Sequence, residues 1–164
     1  MSKLARLGSL ALVTLIATAA NAQAVRSEKN ISLALANQIA AATVASCTAA
    51  GYAVTATVVD RSGGVRSVQR ADNAGPHTLA ASLQKAYTSA SARNNTLAMM
   101  EGAQKNPAAA NLTDIPGFLL LGGGVPVRAG NDVIGAVGVG GAPGGHLDEQ
   151  CAVAGINAAK DQLQ

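Results

Sequence analysis

The sequence predicts an α+β fold, a five-stranded antiparallel sheet covered by helices. Three observations carry that expectation. Apolar residues recur at three-four spacing over 33–50. Alternating stretches flank short glycine turns at 61–64 and 130–131. The predicted order is one helix, two strands, two helical segments, three strands and a last helix. Strands joined by short turns pair antiparallel, and helices at both ends and in the middle cover the faces of the sheet.

Residues 1–22 read as a signal peptide. Lys3 and Arg6 make a basic start, an apolar run follows to Ala20, and Ala20-Asn21-Ala22 is a small-x-small cleavage site. The run is too short and too weakly flanked for a spanning helix. The expected product is an exported single domain over 23–164, periplasmic or secreted. Without Lys3 and Arg6, ten basic and nine acidic residues nearly balance. Tyr52, Tyr87 and Phe118 are the aromatic residues. With no basic cluster and no stacking platform, the chain does not read as a nucleic-acid binder. Its core must come from Val, Leu, Ile and Ala, and a homo-oligomer sharing apolar surface would help to complete it.

Ser32 is placed to cap the first helix, whose apolar face is Leu33, Ala36, Ile39, Ala40, Thr43, Val44 and Cys47. Gly51 sits where a helix-ending glycine belongs. Residues 52–60 and 65–70 form a hairpin, with Asp60 as a turn former bonding backbone amides. A loop, Ala71–Pro76, leads to His77 and a helix over 78–93. Residues 94–105 are weakly helical and polar, and 106–114 read as a loop. Three strands follow, at 118–121, 125–128 and 133–139. In the last, Val133, Gly135, Val137 and Val139 fall on one face and Ile134, Ala136 and Gly138 on the other. His146-Leu147-Asp148-Glu149 opens the final helix with acids in its first turn, as the helix dipole favours.

Cys47, late in the first helix, and Cys151, early in the last, are the two cysteines. An exported chain with two cysteines reads as carrying one disulfide. Two separate buried thiols are the alternative, since cysteine also behaves as a small hydrophobe. No C-x-x-C and no histidine at ligand spacing supports a metal at either. The P-loop, G-x-S-x-G, H-E-x-x-H and C-x-x-C-H motifs are absent.

Three stretches resemble one family. They are LGGGVPVRAGNDVIGAVGVGGAPGGHLDEQCAVAG (121–155), AGYAVTATVVDRSGGVRSVQR (50–70) and AGPHTLAASLQKAYTSA (74–90). Together they resemble the GlcG/HbpS-like haem-binding or haem-degrading proteins, related to the C-terminal domain of some corrinoid adenosyltransferases. The resemblance spans 33–163. It implies a profilin-like α-β-α layering, oligomerisation, and haem or another tetrapyrrole as cofactor. His77, at an accessible helix start, is then the candidate axial ligand and metal-binding residue, because neutral imidazole binds haem iron well. Lys85, about two turns further along the helix, is a candidate for a haem propionate or another anion. Read from the residues alone, His77 is first a partly exposed helix-start residue and Lys85 a solvated charge; the resemblance sets the ligand reading level with that one. His146, in the glycine loop, is the weaker candidate. No residue set would activate oxygen beyond what haem itself supplies. The alternative is an accessory oligomer that binds a small organic anion, with the amides of Gly122, Gly123 and Gly124 as a nest.

Overall fold

The computed structural model describes residues 25–164, so the signal-peptide reading of 1–22 lies outside the described residues. The first helix, α1 (Leu33–Ala49), begins where predicted: the Ser32 hydroxyl accepts a hydrogen bond from Leu35 N at 3.2 Å. It ends at Gly51, whose φ of +85° suits a residue without a Cβ. Its buried face differs by one position from the predicted stripe. Leu35 is buried with Ala36, Ile39, Ala40, Thr43 and Cys47, whereas Leu33, in the first turn, is exposed.

Strands β1 (Thr55–Asp60) and β2 (Val65–Arg70) form the predicted hairpin. Asp60 Oδ1 accepts from Ser62 N and Gly64 N, each at 2.9 Å, which makes Asp60 the turn former. After α2 (His77–Ala92) and α3 (Thr96–Lys105), a 3-10 segment at Pro107–Asp114 leads to β3 (Gly124–Ala129), β4 (Asp132–Gly140) and α4 (Gly145–Asn157). The sheet order is β2-β1-β4-β3, antiparallel throughout.

The sheet therefore has four strands among the described residues, not five. Residues 118–121 do not join it. Side-chain hydroxyls bond this backbone in place of a neighbouring strand. Thr88 Oγ1 accepts from Leu119 N at 2.8 Å, and Thr96 Oγ1 donates to Leu121 O at 2.7 Å while accepting from Gly124 N at 2.8 Å. Phe118 packs edge-on against Tyr87, with centroids 6.2 Å apart. The alternation predicted for β4 is also offset. Val127 pairs with Gly135 but Arg128 with Val133, and the irregularity puts Ile134 in the same core cluster as Val137 and Val139.

One face of the sheet carries α1 and α4, packed over Val54, Val58, Val127, Val137 and Val139. These two helices touch closely. A Cβ on Gly155 would lie 1.9 Å from Thr43 Oγ1. Cys47 and Cys151, 104 residues apart, are joined as a disulfide with a Cα–Cα distance of 5.4 Å.

The other face carries α2, with the start of α3 against β3. Here glycines in β3 and β4 let the helix backbone approach. A Cβ on Gly138 would lie 2.1 Å from Ser82 O, and one on Gly124 would lie 2.4 Å from Lys85 O. Two buried hydroxyl pairs at 2.7 Å, Thr55 with Thr78 and Thr57 with Ser82, tie β1 to α2. Gly138→Ala is expected to destabilise by about 1–3 kcal/mol, the usual range for overpacking against groups that cannot yield. Gly102→Ala, in α3 with open space around it, is expected to stabilise slightly, since glycine is costly inside a helix. Urea midpoints of the two variants check this pair, and equal effects would contradict it.

Candidate functional site

The N-terminal half of α2, the loop at 140–145 and the start of α4 enclose a cleft of about 230 Å³. His77, Ala81 and Lys85 line it from α2, Leu121 from the neighbouring segment, and Asp148 from α4.

Lys85 lies on the sheet-facing side of α2 with Ser82, Ala86 and Ser89, and it is 1% exposed. It is therefore not a solvated charge. Its ammonium donates to Val139 O and to Asp148 Oδ2, both at 2.8 Å. The other carboxylate oxygen, Asp148 Oδ1, accepts from Ala142 N at 3.0 Å. The pair thus joins α2 to α4 and fixes the intervening loop to the end of β4. Burial pushes the Asp148 carboxyl above its ordinary range, opposed by the hydrogen bond and charge of Lys85 and by the Ala142 N–H.

The glycines at 122–124 make room for this pair. At Gly123 φ is +121°, and a Cβ would lie 2.7 Å from both Asp148 Cβ and Val139 O and 3.1 Å from Lys85 Nζ. Gly122 packs directly on the backbone of Gly145. The expectation of an open amide nest here is corrected by these contacts. All three glycines are buried and Gly124 N already bonds Thr96.

His77 is exposed at the start of α2, where its ring folds over Gly75. His146 repeats this arrangement over Gly144 at the start of α4. The two imidazoles line different depressions, however. His146 lies with Leu97, Glu149 and Val153 on the α3 side of α4. His77 and Lys85 do share a cleft, one at its rim and one at its floor. Outward on α2, Leu79 and Leu83 are 43% and 37% exposed, and Leu121 beside the cleft is 41% exposed. The cleft is smaller than the usual range for pockets that enclose a drug-sized ligand, so a tetrapyrrole would lie on the α2 surface rather than inside it. His77 and Leu121 share its rim, an imidazole and an apolar side chain that such a group could meet. Among the described residues no three His, Cys, Asp or Glu side chains gather as a metal cluster.

Asp148 was the functional candidate that sequence reasoning missed. It stood only as an acid in the first turn of a helix. Nothing in a linear pattern shows that it lies across the fold from Lys85.

Comparison with known proteins agrees with this architecture. A double mutant of HbpS from Streptomyces reticuli is 36% identical, with a TM-score of 0.77 over 88% of this chain and 97% of that one. An uncharacterised 15.0 kDa protein of Citrobacter freundii, from the dhaT-dhaS intergenic region, is 35% identical over 113 residues, 68% of this chain and 80% of that protein. A PduOC–haem complex shares the fold at 20% identity, with a TM-score of 0.70 over 79% of this chain and 94% of that one. Residues 31–157 match the family described as haem degrading protein HbpS-like, and the chain belongs to that family.

Proposed function

We propose that the protein is an exported haem-binding protein in which His77 is the axial ligand and the outer surface of α2 receives the macrocycle. The observation that carries this reading is the exposed His77 ring at a helix start, at the rim of a cleft that the half-exposed Leu121 also lines. Family membership gives the class of ligand. The PduOC–haem complex, of the same fold, supports it. Haem itself would supply the iron chemistry. This chain's part is to offer an imidazole and an apolar surface. The disulfide supports export, because such bonds persist in oxidising compartments. The α2 surface is also where self-association would cover exposed leucines, giving a homo-oligomer that holds the tetrapyrrole against a second copy.

A haemin titration of residues 23–164, followed by the Soret band, tests this reading. A saturable, stoichiometric shift is expected, and His77→Ala should abolish the histidine-ligated spectrum. A shift that survives His77→Ala moves the ligand to another residue. No saturable shift in the unaltered protein refutes haem binding.

A further inference from the structure

We propose that the cleft over the Lys85–Asp148 pair is a carboxylate-binding site. Its floor is a lysine ammonium that is 1% exposed yet lines the cleft. Of its three N–H groups, two have acceptors among the described residues, Val139 O and Asp148 Oδ2. A third donor remains, and a buried donor without a partner is costly. An ion pair in this position contributes little that two apolar side chains would not, whereas an ammonium below an open cleft has a use.

The wall supplies donors as well. Gly144 and Gly145 line the cleft at the start of α4. Leu147 N and Asp148 N both return to Gly144 O, and the Gly145 N–H precedes these bonds. The acceptors that meet Lys85 already carry bonds. Asp148 spends one oxygen on Lys85 and the other on Ala142 N, and Val139 O is held by Lys85. A site with donors to spare favours an anion. A planar carboxylate can accept a hydrogen bond from the Lys85 ammonium on one oxygen and from a backbone amide on the other. The charged and titratable groups around the site are Lys85, Asp148 and His77. The small volume admits a short organic acid, or the propionate arm of a tetrapyrrole whose ring stays on the α2 surface.

The test uses amide NMR on residues 23–164, with acetate and lactate as one set of probes and diamagnetic gallium protoporphyrin as another. Small carboxylates are expected to shift the Gly144 and Gly145 amides saturably, while chloride at equal ionic strength does not. Asp148→Asn, which removes the neighbouring negative charge but keeps an acceptor for Lys85, should bind them several-fold more tightly. Lys85→Met/Asp148→Asn should bind about tenfold more weakly or worse, the effect of losing a charge-assisted hydrogen bond. Shifts with the porphyrin but not with small acids identify the carboxylate as a propionate, and porphyrin dimethyl ester must then fail to reproduce them. If neither probe moves these amides, the site does not exist. The small-acid arm needs no haem, so it stands or falls separately from the haemin titration. If the double variant does not fold, the unaltered protein and Asp148→Asn still decide the matter.

Discussion

Replacing both cysteines, as Cys47→Ala/Cys151→Ala, is expected to lower the stability of the domain by about 4–5 kcal/mol in the chain-entropy account of a loop this long. The bond spans 104 residues, so it restricts nearly the whole unfolded chain. Both residues sit in the core, at 0% and 4% exposure, and alanine there leaves only a small gap. The helices they join are also held by the contact of Gly155 with Thr43 and by the shared valine layer. The fold should therefore survive, with a melting temperature lower by about 10–20 °C for a domain of this size. Thermal unfolding with and without reductant measures it, and a reductant-insensitive midpoint would show that the bond contributes nothing.

Lys85→Met is expected to cost about 3–5 kcal/mol at neutral pH, because it leaves the Asp148 carboxylate buried without its cation. Burial already holds the Asp148 carboxyl above its ordinary range, with Lys85 pulling the other way. A group raised in this way favours the folded state below its unfolded value, and that contribution is lost as pH rises through its folded value. Removing Lys85 removes a lowering influence and raises Asp148 further. The cost of the substitution should therefore be greatest at neutral pH and shrink as acid protonates Asp148. Urea midpoints of the two proteins should converge on acidification. Lys85→Met/Asp148→Asn should recover much of the loss at neutral pH. A gap that does not change with pH would mean that Asp148 is not the group left stranded.

Much of the fold was legible because it rests on local signals. The Ser32 cap, the Gly51 ending and the Asp60 turn each depend on residues within a few positions of one another. The cysteine pairing was legible for another reason: two residues admit one intramolecular bond. The segment at 118–121 misled because its apolar run has the composition of a strand, while Thr88 and Thr96, distant in sequence, take up its backbone groups. Leu33 misled because a first-turn residue can match the helical period and still point away from the core. For the candidate site, the His77 position and its exposure followed from a Gly-Pro lead into a helix. The Lys85–Asp148 contact, 63 residues apart, depends on how two helices cross the end of β4 and has no linear signature.

The long span of the disulfide also orders events in time. Cys47 is synthesised 104 residues before Cys151, an interval of about 5–20 s at ordinary elongation rates. Throughout it the nascent chain holds a lone thiol with no intramolecular mate, so any protein disulfide it forms in that interval links it to another chain. The correct bond becomes possible when α4 emerges and docks beside α1. A monomer that carries this bond has therefore received its last helix, and a chain cut short before residue 151 keeps Cys47 without its mate.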